Sequence, residues 1–217
     1  MRHTSERVPG KNYRPFAGRP LFEHVLTTLL ECDLVTEVVI DTDSSTIADA
    51  VTGRPRVRVV DRPEHLRAGE VPMNDVLLHD VDLVDADVYF QTHATNPLLT
   101  VETLGAAIAT FLEHRSSHDS LFTVTRLQTR LWDERSRPIN HDPRVLLRTQ
   151  DLPPVFEENS CLYVFTEASL RMAQNRIGER PFLFEMSPRE ALDIDTEWDF
   201  QMAELVYRET RRLEGDR

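Results

Sequence analysis

The feature that most constrains the fold is a regular alternation of two patterns along the chain. Apolar blocks of strand length, such as EVVIDT over 37–42, are separated by stretches with apolar residues at helical spacing. Strands that alternate with helices are typical of βα units, which build a mostly parallel sheet covered by helices on both faces. We therefore expect a three-layer α/β/α protein with a mixed, mostly parallel sheet.

The same patterns give the expected elements. Helices are expected over 20–30, 44–51, 74–83, 101–113 and 197–208, and strands over 37–42, 56–60, 87–91, 120–125, 161–165 and, at the sheet edge, 181–186. The segment 126–160 is rich in proline and charge and lacks periodicity. Long irregular segments inside a compact domain are usually functional. We interpret 1–217 as a single domain from which 126–160 protrudes as a lid or dimerisation segment.

Charge and composition narrow the class of partner. The 217 residues carry a net charge of -12, which argues against nucleic acid or an anionic membrane surface as the main partner. No apolar run approaches the length that spans a bilayer or has the form of a signal peptide. We expect a cytoplasmic protein that binds small molecules and keeps Cys32 and Cys161 as reduced thiols.

The N-terminal segment MRHTSERVPGKN combines a Pro-Gly turn with several cations. Arg2, Arg7 and Lys11 surround backbone N–H groups of a turn, which is the chemistry of a polyphosphate-binding loop. The Walker spacing is absent. The alternative is a solvated basic N-terminus without a ligand.

Two carboxylates precede the last expected helix in the segment ALDIDTEWDF. Asp193 and Asp195 alternate along extended backbone and therefore point to the same side. Paired carboxylates suit Mg²⁺, which prefers oxygen ligands. The alternative is that Asp195 or Thr196 caps the helix, with Asp199 in its first turn.

Two further segments place polar side chains at strand ends. In QTHATNPLLT, Thr92, His93, Thr95 and Asn96 follow a strand and suit a polyhydroxylated ligand, with loop capping as the alternative. Asn159 and Tyr163 flank the start of the strand expected at 161. Their spacing predicts that they face the same side and form part of a ligand wall.

A further pair, Asp41 and Asp43 in DTDSS, is interpreted as strand-end and helix-cap structure.

In this order, the segments resemble the acylneuraminate cytidylyltransferases, which make CMP-activated nine-carbon keto acids. The resemblance runs from Arg2 to about residue 205, and the motifs that carry it are SERVPGKN, VVIDTDSSTIA, RPEHL, ATNPLL, DSLFTVT, RTQDLPPVFEENSCLYVF and DIDTEWDF. It implies a Rossmann-like fold of the nucleotide-diphospho-sugar transferase type and transfer of CMP from CTP to the anomeric hydroxyl of a sialic-acid-like sugar, with release of pyrophosphate. Separately, the segment 126–160 has too few periodic apolar positions to form a core of its own, so we expect it to pair with a second copy in a homodimer.

The resemblance assigns roles to individual positions. Arg2, Ser5 and Lys11 would hold phosphates, Asn12 and Arg62 would place the nucleoside, and Asp193 and Asp195 would hold Mg²⁺. Arg2, Lys11 and Asp195 would be catalytic. The sugar would contact His93, Thr95, Gln150, Asn159 and Tyr163. The general base stays open between a water on the metal and one of the two aspartates.

The chain departs from the family pattern at four places. His93 stands where the family has glutamine, Thr149 where it has a second arginine, Ser160 where it has glycine, and His3-Thr4 where it commonly has two glycines. The sugar is therefore open, and an eight-carbon acid is an alternative.

Three further expectations concern the assignment as a whole. A glycosyltransferase using 41–43 for metal is one alternative, and an inactive truncated homologue is another. The resemblance implies a first, central strand that is missing before Met1, and we expect Met1 to be an internal methionine.

Overall fold

The computed structural model describes residues 1–215. The helices are α1 (Leu21–Glu31), α2 (Ser45–Val51), α3 (Met73–Leu83), α4 (Val101–His114), α5 (Glu167–Ala173) and α6 (Glu197–Gly215). The strands are β1 (Pro15–Phe16), β2 (Arg19–Pro20), β3 (Val38–Thr42), β4 (Val57–Asp61), β5 (Tyr89–Thr92), β6 (Ser120–Leu127), β7 (Val155–Phe165) and β8 (Pro181–Glu185). The expected order of helices and strands is confirmed, with α5 and the short β1–β2 pair as additions.

The main strands form two sheets. β3 pairs with β4 in parallel, and the second sheet has the order β5-β7-β6-β8. β7 is antiparallel to both of its neighbours, and β6 and β8 are parallel, so three of the four strands run in one direction. The mixed, mostly parallel arrangement is confirmed. Within residues 1–215 no strand is hydrogen-bonded between β3 and β5.

Helices cover both faces of the second sheet, which gives the three expected layers. On β7, Leu162 and Val164 belong to a buried cluster that includes α1, α2 and α4. The alternate residues Tyr163 and Phe165 pack with α3 and α5 instead. Because successive side chains of a strand point to opposite faces, this one strand joins the two layers of helices to a common sheet.

The segment expected to be irregular over 126–160 is partly strand. β6 continues to Leu127 and β7 begins at Val155, with Leu127 opposite Val155 and Thr125 opposite Glu157. Phe156, Glu157 and Glu158 are consecutive exposed residues of this ladder, so the segment lacks the alternation of buried and exposed residues that indicates a strand. The irregular part is therefore 128–154, which we call the arm.

Both cysteines are buried free thiols. None of the helices in residues 1–215 has the length and apolar character needed to cross a membrane.

Candidate active site

The basic N-terminal loop is held against the acidic segment near the other end of the chain. The Lys11 ammonium donates to the carbonyl oxygen of Ile194 over 2.5 Å and lies 3.5 Å from Oδ1 of Asp195. Arg7 donates to the same carboxylate oxygen over 2.8 Å. The two sequence features that suggested phosphate and metal binding are therefore parts of one site.

A tight turn gives the loop its shape. Gly10 adopts a φ of 65°, a conformation that favours glycine, and a Cβ at this position would lie 2.9 Å from atoms of the Tyr13 ring. The N–H of Arg14 donates to the carbonyl oxygen of Gly10 over 3.0 Å. Val8 is fully buried beside the turn, and its carbonyl oxygen accepts the N–H of Lys11 over 3.2 Å.

Helix α6 fastens the loop from outside. Arg14 donates twice to the carboxylate of Glu197, over 2.6 and 2.8 Å, and its guanidinium carbon lies 4.2 Å from the centre of the Phe200 ring. Glu204 accepts the N–H of Ala17 over 2.8 Å. Bidentate arginine–carboxylate pairs give geometric specificity. These contacts set the distance between the loop and the start of α6.

Asp193 and Asp195 both line one cleft of about 570 Å³, together with residues of β6, β7 and the segment after β8. Ligand sites commonly have volumes of 300 to 1,000 Å³. Oδ1 of Asp193 is buried without a hydrogen-bond partner among the described residues. Burial raises the pKa of Asp193, with the Asp195 charge adding to the shift and a hydrogen bond from Thr95 opposing it.

The loop after β5 is tied directly to this acidic segment. The N–H of Ile194 donates to the carbonyl oxygen of Thr95 over 3.0 Å, and the side chain of Asn96 donates to the carbonyl oxygen of Leu192 over 3.4 Å. Thr95 therefore lies beside the carboxylates, at the predicted edge of the sheet. Asn96 is fully buried and acts in the loop structure.

Helix capping and the acidic pair coexist. Thr196 and Asp199 form reciprocal contacts at the start of α6: Oδ2 of Asp199 accepts the Thr196 N–H over 2.7 Å, and Oγ1 of Thr196 accepts the Asp199 N–H over 3.2 Å. Asp199 also accepts the Asp195 N–H over 3.2 Å. The cap uses the backbone of Asp195, which leaves its carboxylate for the cleft and the cations.

The other predicted nucleotide-binding residues lie on or beside the loop. Oγ of Ser5 accepts the N–H of Val8 over 3.4 Å, and the amide of the buried Asn12 donates to the carbonyl oxygen of Arg2 over 3.0 Å. The Arg2 guanidinium lies near Gly69, which follows β4. Ser5 and Asn12 therefore stabilise the loop in addition to any contact with a ligand.

Arg62 is buried in an ion pair with Asp41. Asp80 of α3 lies beside this pair, and burial together with the Asp41 charge raises the pKa of Asp80 to about 7.

Asp43 accepts the N–H of His3 over 2.6 Å. Ser44 caps α2 by accepting the N–H of Ile47 over 3.4 Å. The interpretation of 41–44 as strand-end and cap structure is consistent with these contacts.

His93 lies at the carboxyl end of β5, within electrostatic range of the loop. Burial lowers its pKa to about 4, and the charges of Arg176, the amino terminus and Lys11 lower it further. Its Nε2 lies 3.0 Å from Nε2 of Gln91. Gln91 in turn accepts a hydrogen bond from Arg176 over 2.5 Å. Gln91 and Arg176 were not identified from the sequence.

Tyr163 and Asn159 do not face the same side, so that expectation was wrong. Asn159 bonds to Thr123 over 2.7 Å and to Thr125 over 3.1 Å on one face of β6, whereas Tyr163 stacks with Phe122 on the other face. A bulge between Phe122 and Val124 shifts the register. The irregular backbone breaks the simple alternation on which the expectation depended.

Ser160 lies within the bulged part of β7, and its φ is 57°. Ser160 and its neighbours Glu158 and Asn159 line the cleft. Tyr163 is itself fully buried, but its hydroxyl reaches Glu158 and lies 3.2 Å from Oγ of Ser160. Tyr163 thus supports two cleft residues from behind.

Gln150 lies apart from these residues. It occupies an exposed 3₁₀ turn (Thr149–Asp151) in the arm. The turn is attached to the end of β6 by Gln128, which donates to the carbonyl oxygens of Thr149 over 3.1 Å and Leu152 over 2.6 Å. Gln150 is not among the residues that line the cleft.

Cations and carboxylates that converge at the carboxyl ends of strands define a class of α/β protein that binds charged small molecules at this edge. A family model described as cytidylyltransferase matches residues 1–215. The chain belongs to the cytidylyltransferase family, whose members are nucleotidyltransferases.

Individual relatives cover almost the whole chain. The chain is 28% identical over 224 residues to CMP-N,N'-diacetyllegionaminic acid synthase of Legionella pneumophila, covering 94% of this chain and 92% of the relative. It is 25% identical over 210 residues to N-acylneuraminate cytidylyltransferase A of Danio rerio, covering 94% of this chain. The chain spans about half the length of that relative, 48%.

Solved structures agree with the fold. A CMP-2-keto-3-deoxy-manno-octonic acid synthetase complexed with CTP superposes with a TM-score of 0.69 at 15% identity, covering 97% of this chain and 96% of the other. The 4-diphosphocytidyl-2C-methyl-D-erythritol synthase of Anaerococcus prevotii gives 0.68 at 12% identity, covering 95% and 93%. The Rossmann-like α/β fold is confirmed.

Proposed function

We propose that this protein transfers CMP from CTP to the anomeric hydroxyl of a sialic-acid-like keto sugar acid and releases pyrophosphate. The observation that carries the proposal is the convergence of Lys11 and Asp195, 3.5 Å apart, at a cleft lined by two carboxylates. The names of relatives that act on N-acylneuraminate, legionaminic and pseudaminic acids support the class of acceptor.

In the proposed reaction the anomeric oxygen forms a bond to the α-phosphorus of CTP. The bond from that phosphorus to the bridging oxygen breaks, pyrophosphate leaves, and the hydroxyl proton is lost. Lys11 would donate to phosphate oxygens, because its side chain is only 13% exposed and already held in place. A preorganised donor of this kind is worth about 3 to 4 kcal/mol of transition-state stabilisation. Arg2 and Arg7 would add positive charge on the exposed side.

We propose further that Asp193 and Asp195 hold Mg²⁺. The residues fit this ion, because both are hard oxygen ligands on one cleft and Asp193 has a buried oxygen without a partner. No cluster of three or more metal-ligating side chains occurs in residues 1–215. Mg²⁺ commonly binds through one or two carboxylates and takes its other ligands from water and phosphate. When bound, the ion would neutralise developing phosphate charge.

The sugar would bind beyond the carboxylates, toward His93, Thr95 and the β7 bulge with Asn159 and Ser160. Tyr163 would act through the bulge. We also propose that Gln150 reaches a site through the arm in a homodimer. The arm exposes several apolar side chains, including Ile139, Val145 and Leu146, and large exposed apolar patches mark interaction sites.

The alternative function is a glycosyltransferase that would bind a metal through residues 41–43, and it is weakened by the contacts that these residues already make. Asp41 is buried and paired with Arg62, and Oδ1 of Asp43 accepts the His3 N–H, so one oxygen of each carboxylate already has a protein partner.

The direct test is pyrophosphate release from CTP with Mg²⁺ and a panel of acids: N-acetylneuraminate, legionaminate, pseudaminate and the eight-carbon 3-deoxy-manno-octulosonate. The proposal predicts release that depends on the acid, with a nine-carbon acid preferred. CTP binding without release for any acid would instead support a non-catalytic homologue. Sugar transfer from a preformed nucleotide sugar without pyrophosphate would support a glycosyltransferase.

A further inference from the structure

Arg176, Gln91 and His93 form a chain of hydrogen bonds that joins three separate elements. Gln91 lies on β5, His93 in the loop that follows, and Arg176 after α5. Gln91 is directly opposite Tyr163 in the β5–β7 ladder. The guanidinium carbon of Arg176 lies 3.6 Å from the centre of the Tyr163 ring, so Arg176 rests on one member of the pair and bonds to the other.

Only one assignment of donors and acceptors fits the hydrogen bonds that connect Arg176, Gln91 and His93. A guanidinium can only donate, so the Gln91 atom 2.5 Å from Nη1 of Arg176 is the amide oxygen. The Gln91 amide nitrogen must then face His93, where it donates to Nε2 over 3.0 Å. A ring nitrogen that accepts a hydrogen bond carries no proton. Neutral imidazole has one N–H, which must therefore be on Nδ1.

We propose that Arg176 is a positioning residue that, through Gln91, fixes His93 as a neutral ring with its proton on Nδ1. His93 then presents a single N–H donor to an oxygen of the acceptor sugar, a role that rests on the function proposed above. Among the described residues Nδ1 has no hydrogen-bond partner, and it is not among the buried polar atoms without one. That edge of the ring is therefore reached by solvent.

The surrounding charges act in the same direction. Burial lowers the pKa of His93 to about 4, and Arg176 is the first of the charged groups that contribute, followed by the amino terminus of Met1 and by Lys11. Asp195 is the opposing charge. A neutral ring that presents one fixed N–H donor selects ligands by the position of one oxygen atom. A protonated ring, which has two N–H donors, would not select ligands in this way.

The test measures the His93 ring nitrogens by long-range ¹H–¹⁵N NMR in protein without substrate, with the signals assigned by His93→Gln. The expected result is an Nδ1-protonated ring that does not titrate between pH 8 and about 5. Arg176→Met should release the Gln91 amide, give a mixture of tautomers and raise the pKa of His93. Arg180→Gln, an exposed arginine four residues further on, is the matched control and should leave the spectrum unchanged.

Gln91→Glu keeps the shape but can only accept hydrogen bonds when ionised. It should move the His93 proton to Nε2 or produce the doubly protonated ring, and it serves as the second variant if Arg176→Met does not fold. A wild-type ring protonated on Nε2, or variants with the wild-type spectrum, would overturn the inference.

The NMR measurements need no enzyme turnover, so their outcome does not depend on whether the proposed reaction is correct. If wild-type protein releases pyrophosphate with N-acetylneuraminate, Arg176→Met should raise KM for that acid about tenfold, the effect of one lost hydrogen bond, and leave KM for CTP unchanged. Equal changes in both KM values would overturn the role at the sugar side.

Discussion

At the scale of single residues, Asp195 connects several parts of the candidate site. Its carboxylate meets Arg7 at 2.8 Å and Lys11 at 3.5 Å, its N–H donates to Asp199, and it lines the cleft. The cap of α6 uses only the backbone of Asp195. Removing the charge of the side chain should therefore affect chemistry without removing the helix start.

Asp195→Asn should lower the rate of Mg²⁺-dependent pyrophosphate release by about 100-fold, the order of effect of losing one preorganised electrostatic group. Thermal unfolding should change little. Asp82→Asn is the matched control, because Asp82 is exposed and pairs with Arg171 outside the cleft. Equal activity losses in the two variants would place the important charge elsewhere.

The sequence predicted Lys11, Asp193 and Asp195 as site residues because each stands in a compact motif whose chemistry can be inferred locally. It could not identify Arg176 or the role of Gln91. Their contact joins positions 85 residues apart, and Arg176 follows α5 in a segment without periodicity. The only local signal was Gln91 itself, a polar residue at the end of a buried strand.

At the scale of elements, the bulge in β7 decides which side chains reach the cleft. Ser160 occupies left-handed backbone with a φ of 57°, and the side chain of Asn159 fills the gap in the ladder by bonding to Thr123 and Thr125. The family has glycine at the position of Ser160, which indicated that the backbone there adopts a conformation that favours glycine. The opposite orientation of Asn159 and Tyr163 could not be inferred from the sequence, because the alternation expected of a regular strand does not show where a bulge interrupts it.

Ser160→Gly and Ser160→Ala should differ in stability although both lose the hydroxyl. Left-handed backbone costs a residue with a Cβ about 1 to 2 kcal/mol. The glycine variant should therefore have the higher free energy of unfolding by about that amount in urea denaturation. Alanine keeps the strain and also loses the contact with Tyr163, so it should be less stable than wild type. Equal stabilities would show that the backbone relaxes at this site.

The sequence predicted helices from periodicity and capping, and it missed α5. That helix has only seven residues, yet Thr166 and Ser169 form a reciprocal cap at its start. The Thr-x-x-Ser spacing was a usable signal. The arm was recognised as irregular for the right reason, since it lacks periodic apolar positions, but its flanking strands were hidden by exposed polar residues.

At the scale of the whole molecule, the two ends of the chain depend on each other. The loop before α1 packs with α6 through a buried cluster that contains Phe16, Leu21 and Phe200. His24 of α1 joins this cluster, and its Nε2 lies 2.8 Å from the carbonyl oxygen of Phe16. The ring contacts Phe16 and Tyr207 edge to face. Loss of this packing would separate Lys11 from Asp195.

The contribution of His24 to the stability of the folded protein should fall as pH is lowered from about 6.5 to 4. Burial lowers the pKa of His24 to about 4 in the folded protein. As pH falls, His24 therefore takes up a proton in the unfolded chain before it does so in the folded protein. This uptake favours the unfolded state and lowers the free energy of unfolding. The contribution of His24 is about 3 kcal/mol at most. His24→Gln can keep the hydrogen bond with the carbonyl oxygen of Phe16 and should make the free energy of unfolding less dependent on pH, whereas the exposed His65→Gln should not. An unchanged slope in His24→Gln would contradict this account.

The central claim is that the cationic loop and the acidic segment act on the same nucleotide. The measurement that tests it most directly is a double-mutant cycle of pyrophosphate release from CTP with wild type, Lys11→Ala, Asp195→Asn and the double variant. Groups that act as a unit are strongly non-additive, so we predict that the double variant is about as slow as the slower single variant. A double variant whose loss equals the product of the two single losses would show that Lys11 and Asp195 act independently and would contradict the claim.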